Sequence, residues 1–218
     1  MYYLGNAKTI KDVTPLPSYE IERKFKADGF SVVCGIDEAG RGPLSGPVFA
    51  AACILPDGFL IPGLDDSKKL SPKKREALFD IICENAVAYA IASASVEEID
   101  ELNILNADML AMRRALAMLS PAPDLALVDG NVARDFSIPA HPVIKGDAIS
   151  CSIAAASILA KVARDRQCIE DDRLYPMYGF AKHKGYGTKE HMAALREFGP
   201  SPIHRTKFIR FLNEDNHE

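Results

Sequence analysis

The sequence predicts one layered domain of the α/β or α+β type. Three observations carry that expectation. Apolar strand-like runs come first and then alternate with helix-like segments. The 218 residues suffice for one large domain, or one domain with a small appendage. No internal repeat and no linker divides the chain. Hydrophobic residues make up 48% and charged residues 26%, an ordinary globular balance.

The elements follow in order. Residues 1–30 read as a loose lead-in with one short helix, "SYEIERKFKADG", stopped by Gly29. Residues 32–37 and 46–55 read as strands. "PDGFLIPGLDDSKKLSP" is rich in proline and glycine and reads as a surface loop. Ser71 then caps a helix with Pro72 at its first position; Leu78, Ile81, Ile82 and Asn85 give that helix its period. Residues 87–96 form a third strand, and 97–103 and 106–119 two helices. Short buried strands follow at 125–128 and 143–144, then a long helix over 148–173. "MYGFAKHKGYGT" reads as a basic glycine-rich loop. A helix over 188–198 stops at Gly199, and a last short one spans 206–212. The domain proper is expected over 31–212, with an acidic tail at 213–218.

The net charge of -4 is mild, but its distribution is uneven. From Lys182 to Phe211 there are seven Lys or Arg and only two acids. That asymmetry suits a nucleic-acid surface, although charge alone favours a merely solvated face. The five cysteines form no C-x-x-C pair, and four sit in apolar segments, so buried free thiols are expected. "MYYLGNAKTIKD" lacks the apolar core of a secretory signal, and no apolar run reaches the ~18 residues of a membrane span. A cytoplasmic protein without membrane contact is expected.

The informative stretch is "VVCGIDEAGRGPLSGPVFAAACIL". An apolar run ends in Asp37 and Glu38, and a glycine-rich bend follows. Neighbours on a strand face opposite ways. For both to serve one site the chain must leave strand geometry there, and Gly40 and Gly42 allow a bend that aims both carboxylates into one cleft. An isolated Asp-Glu pair is most often a solvated turn. However, "LALVDGN" puts Asp129 after a second apolar strand, and "PVIKGDAIS" puts Asp147 after a third. Acids gathered at strand ends repel and raise one another's pKa unless a cation joins them. Oxygen-only ligands suit Mg²⁺ or Mn²⁺, and four carboxylates can hold two such ions. His183 and His191 lack zinc-site spacing.

"GIDEAGRGPLSGPV", "DSKKL", "LVDGN", "KGDAISCSIAAASILAKVARD" and "YGFAKHKGYGT" together resemble bacterial ribonuclease HII. The resemblance runs from about Val32 to Phe208, with five motifs in order. It implies a ribonuclease H-like fold with a mixed central sheet flanked by helices and a C-terminal helical extension. It also implies a metal-dependent endonuclease acting on RNA/DNA hybrids and on duplex DNA with embedded ribonucleotides. Asp37, Glu38, Asp129 and Asp147 would be the catalytic metal ligands. Gly40, Arg41 and Gly42 would meet the nucleic-acid backbone, and Tyr186 would stack on a sugar beside the ribonucleotide. Ser45 stands where the family often has Ala. The short lead-in speaks against the extra N-terminal domain of ribonuclease HIII, and the C-terminus does not resemble a sliding-clamp motif. A monomer is expected.

Other residues have two readings each. Lys68 and Lys69 follow Asp65 and Asp66 as a solvated loop or as phosphate contacts; Lys184 beside Tyr186 reads the same way. Ser150 and Ser152 cap the long helix or bind phosphate, and capping is the expectation. The small residues of "SIAAASILA" pack the helix on the sheet, Lys161 and Asp165 pair along it, and Arg164 and Arg166 are structural. A nonenzymatic nucleic-acid binder and a transposase- or resolvase-type DNA nuclease remain the alternatives.

Overall fold

The computed structural model describes residues 16–214. The expectations for residues 1–15 and for the tail at 215–218 lie outside the described residues. Five strands make one mixed sheet: β1 (Val33–Ala39), β2 (Val48–Ile54), β3 (Ala88–Ala94), β4 (Leu125–Asp129) and β5 (Ala140–Val143). Their spatial order is β3-β2-β1-β4-β5. β1 and β2 pair antiparallel, as do β2 and β3; β1–β4 and β4–β5 are parallel.

Eight helices are described: α1 (Glu20–Ala27), α2 (Pro72–Asn85), α3 (Val96–Leu102), α4 (Ile104–Ala117), α5 (Cys151–Leu174), α6 (Phe180–His183), α7 (Lys189–Phe198) and α8 (Phe211–Glu214). The strand period of two sorts the sheet residues onto two faces. Cys34, Ile36, Ala50 and Ala52 pack with Ala107, Ala111 and Met112 of α4. Ala51 and Cys53 pack on the other face, with α2 and Ala154, Ala155 and Ile158 of α5. Small residues let α5 come very close. A Cβ built on Gly35 of β1 would lie 2.1 Å from the Ser152 carbonyl carbon and 2.3 Å from the Ile153 nitrogen.

The helix ends follow their chemistry. Ser71 accepts from the Lys74 N–H with Pro72 behind it, as expected. Ser150 accepts from the Ile153 N–H, which is the capping role. Gly199 ends α7 at φ +71. The segment before β1 is tied down. The buried Glu22 carboxylate on α1 accepts from Ser150 Oγ (2.7 Å) and the Ser152 N–H (3.0 Å).

Several expectations need correction. β1 does not stop at Asp37 but runs through Glu38 to Ala39, because antiparallel pairing with β2 continues to Ala39–Phe49. The strand expected at 143–144 lies earlier, and Ile144 is exposed, since pairing with β4 ends at Asp129–Val143. The long helix starts at Cys151. A 3-10 turn over Gly146–Ala148 precedes it and follows the left-handed Lys145 (φ 58). The basic loop contains α6. The last expected helix is split into a 3-10 turn, Thr206–Phe208, and α8; Asp100 binds the Thr206 N–H (3.0 Å) and holds the turn. All five cysteines are free thiols, four of them buried. Among the described residues no helix is long and apolar enough to cross a membrane.

Candidate active site

Parallel pairing sets Ile36 beside Val128, so Asp37 and Asp129 are neighbours at the ends of β1 and β4. Both follow the alternation that faces α5, whereas Glu38 faces α4. β4 stops at Asp129, so beyond it no strand separates the two faces. Oxygens of Asp37, Glu38 and Asp129 lie within 4.8 Å of one another. The convergence therefore needs no departure from strand geometry; the end of the neighbouring strand supplies it. Asp147 stands just outside that trio. Its neighbour Gly146 donates its N–H to Asp129 Oδ1 (2.6 Å), and Lys68 Nζ lies 3.5 Å from Asp147 Oδ2.

The electrostatics are those of crowded acids. Burial, then the charges of Glu38 and Asp129, hold Asp37 well above the usual carboxylate range. Hydrogen bonds from Ser157 and the Glu38 N–H (2.7 Å) oppose this only in part. Burial also raises Glu38, against the pull of Arg41. Asp147 is raised by burial and by Asp129. Burial works against the charge on Lys68, but Asp147 and its fellow acids outweigh it, and the Lys68 pKa rises. An oxygen-only set of mutually repelling carboxylates fits a hard divalent cation, whose charge removes the repulsion.

Beside the acids lies a cleft of about 220 Å³, lined by Glu38, the Gly40-Arg41-Gly42 bend, Lys68, Arg164 and Tyr186, among others. Gly40 has φ +107, and a Cβ there would meet Arg164 Nε at 2.3 Å, so the bend requires glycine. The Tyr186 ring stands against Gly42, half exposed, with the Arg164 guanidinium 5.9 Å from its centre. Lys184 instead lines a neighbouring groove with Lys161 and Lys182. Its carbonyl accepts from Arg164 (2.8 Å). Lys69 pairs with Asp65 (3.1 Å), and Lys161 with Asp165 (2.6 Å). A larger hollow of about 740 Å³, between α7 and the C-terminal turns, has no acid in its lining.

The Tyr186 loop rests on three buried histidines. Hydrogen bonding assigns their tautomers. His204 Nδ1 accepts from the Ser201 N–H (2.9 Å), so its Nε2–H donates to His191 Nε2 (2.9 Å). His191 Nδ1–H then donates to the Tyr186 carbonyl (3.0 Å). His183 stacks on His191 at 4.4 Å, accepts from the Gly185 N–H and donates to the Tyr178 carbonyl. Burial is the main cause that lowers His191 and that brings His204 down to about 4. In the unfolded chain both rings would titrate near 6.5, so their stabilising share is lost as pH falls below about 6.5, for His204 towards 4. The raised acids pull the other way, so ring resonances isolate the effect better than a melting curve. At pH 5.5, where a free imidazole is about 90% charged, the C2 proton of His204 is expected at a neutral-ring position.

Two polar residues beside the acids escape sequence reasoning. Asp108 on α4 is fully buried, with neither oxygen hydrogen-bonded, and lies 3.5 Å from Arg41 Nε. Burial, then Glu38, raises its pKa. The signal was present: Asp108 is an acid among the buried Ala107, Met109, Ala111 and Met112. Ser157, hydrogen-bonded to Ser67 (2.9 Å) and to Asp37, is hidden among the small packing residues of α5.

A mixed sheet, antiparallel on one side of β1 and parallel on the other, with carboxylates gathered at its strand ends, defines the ribonuclease H-like class. Comparison with known proteins narrows this. The sequence profile of the Ribonuclease HII family matches residues 34–211. A Ribonuclease HII of Caldicellulosiruptor saccharolyticus is 51% identical over 192 residues, 88% of this chain and 94% of the relative. One of Burkholderia pseudomallei is 59% identical over 184 residues, 84% of this chain and 86% of the relative. The crystal structure of ribonuclease H2 from Pyrococcus horikoshii OT3 superposes with a TM-score of 0.71 at 27% identity, covering 85% of this chain and 98% of that one. The chain belongs to the ribonuclease HII family. Its activity is that of a ribonuclease H, an endonuclease and hydrolase, and dependence on a divalent metal is general in the family.

Proposed function

We propose that this protein nicks duplex DNA on the 5′ side of embedded ribonucleotides and cuts the RNA strand of RNA/DNA hybrids, leaving 5′-phosphate and 3′-hydroxyl ends. Primer removal and ribonucleotide excision are the processes such cuts serve. The observation that carries this reading is the convergence of Asp37, Glu38 and Asp129 within 4.8 Å, with Glu38 also facing the Arg41–Tyr186 cleft.

Asp37, Glu38, Asp129 and Asp147 would hold Mg²⁺ or Mn²⁺. Such ions lower the pKa of a water and stabilise charge on the reacting and leaving oxygens. The chain's own residues do the rest. Arg41, which lies 3.6 Å from Glu38 and 3.5 Å from Asp108, presents a fixed charge to the nucleic-acid backbone. The Gly40–Gly42 bend offers backbone groups to the 2′-OH, the atom that separates RNA from DNA. Tyr186 supplies a face for the adjacent sugar. Lys68 partly offsets the acids and lies within reach of a phosphate, and Lys184 contacts the duplex beyond the cleft. None of these groups reads a base edge, so little sequence preference is expected. The catalytic domain spans 31–212, and the protein acts as a monomer in the cytoplasm.

The test uses a labelled duplex carrying one ribonucleotide, beside an all-DNA twin, with Mg²⁺, Mn²⁺ or EDTA. A single metal-dependent nick just 5′ of the ribonucleotide, absent from the twin, is the expected result. Equal cutting of both duplexes would mark a transposase- or resolvase-type DNA nuclease. Binding without cutting under any metal would mark a nonenzymatic binder.

A further inference from the structure

We propose that Arg205 is a positioning residue: it presets the Gly40–Pro43 bend so that the backbone N–H groups of Arg41 and Gly42 face the substrate before substrate arrives. The inference rests on the reading that this bend contacts nucleic acid.

Arg205 is among the largest fully buried side chains of the protein. Among the described residues no carboxylate pairs with it. A buried cation without a counter-ion is costly, so its other contacts must be good. They are all main-chain carbonyls of one short segment. Nη2 donates to Gly40 O (2.6 Å), Nη1 to Arg41 O (3.0 Å) and Pro43 O (2.8 Å), and Nε to Gly46 O (2.9 Å). Its ring partner is Phe208, 5.2 Å from the guanidinium carbon.

The peptide plane turns these bonds into an orientation. In a trans peptide the carbonyl of one residue and the N–H of the next point opposite ways. With the Gly40 and Arg41 carbonyls drawn to Arg205, the N–H groups of Arg41 and Gly42 point away from it. Neither donates to a protein acceptor among the described residues. Both residues line the cleft shared with Glu38 and Tyr186. Pro43 has no N–H to compete. The frame around the bend is equally tied: Leu44 N–H donates to Gly185 O (2.8 Å), Arg205 N–H to Leu44 O (2.9 Å), and Gly46 N–H to Ile203 O (2.9 Å). The planar guanidinium spans several carbonyls at once. A lysine ammonium has three donors on one point and cannot do so. Presetting matters because two free amides ordered in advance cost nothing to order on binding.

The test begins with the wild-type chain, without nucleic acid. Amide ¹⁵N relaxation at Arg41 and Gly42 should give order parameters near the rigid-backbone value of about 0.85. Values below about 0.6 mean that the bend is not preset, and overturn the proposal. Adding a ribonucleotide-containing duplex in EDTA should shift those two amide resonances. If they stay still while the amides are rigid, the substrate reading of the bend has failed rather than the clamp, and the inference goes with it. Arg205→Lys then separates positioning from general structure. KM for the duplex should rise on the order of tenfold with kcat within about threefold, the pattern of lost binding. A loss of kcat with unchanged KM in a folded Arg205→Lys marks a purely structural role and overturns the proposal. If Arg205→Lys does not fold, the wild-type relaxation decides.

Discussion

Asp37→Asn is expected to abolish cleavage while making the metal-free protein more stable. The two effects have one cause. Asp37 is buried, and the charges of Glu38 and Asp129 keep its pKa well above the carboxylate norm. A group whose folded pKa is raised binds its proton more tightly folded than unfolded. Its share of stability is therefore present below about pH 4, the unfolded value, and is lost as pH rises through the folded pKa. Ionising Asp37 beside Glu38 and Asp129 without a metal costs stability, and an amide of the same shape removes that cost. A gain of about 1–2 kcal/mol, or roughly 2–8 °C in melting temperature, is expected in EDTA. Cleavage should fall on the order of 10³-fold or more, the scale of losing a charge-stabilising group. Duplex binding should persist. Melting curves with and without Mg²⁺ read both halves: metal should raise the wild-type melting temperature and do little for Asp37→Asn. A variant that melts lower than wild type in EDTA would refute the repulsion account, and a variant that still cuts would remove Asp37 from the proposed ligands.

Gly35→Ala carries the other large effect, here on the fold. The added Cβ would lie 2.1 Å from the Ser152 carbonyl carbon, and a backbone atom in the first turn of α5 cannot swing aside as a side chain can. α5 would have to move off β1. That helix also carries Ser157 of the Asp37 hydrogen bond and Arg164 over Tyr186. Overpacking usually costs about 1–3 kcal/mol; this site belongs at or beyond the upper end because both partners are main chain. Urea unfolding measures it directly. A midpoint within error of wild type would mean that α5 and β1 are less tightly seated than the distances state. The same substitution at Gly29, whose Cβ would meet nothing within 4 Å, tests only the left-handed backbone (φ +106) and should cost less.

Local chemistry was readable from the sequence. Ser71-Pro72 announced a helix start, Gly199 a helix end, and Ser150 a cap, because each acts on backbone groups within a few residues. The acids after three apolar runs announced a charged centre, since like charges placed in such positions need a cation. The five ordered motifs carried the resemblance to ribonuclease HII, which the family match bears out. The tertiary structure alone decided how the acids meet. The parallel pairing of Val33–Ile36 with Leu125–Val128 sets Asp37 beside Asp129, and nothing near either residue encodes that register. The continuation of β1 through Glu38 follows from pairing with β2, so the glycine bend begins only at Gly40, after both acids. Asp108 near Arg41, the relay from His204 through His191 to the Tyr186 carbonyl, and Arg205 on carbonyls up to 165 positions away were equally hidden. Turns and caps are settled by the dihedral and hydrogen-bonding preferences of neighbouring residues. Contacts between separate elements are settled only when burial of the whole sheet between α4 and α5 selects one packing.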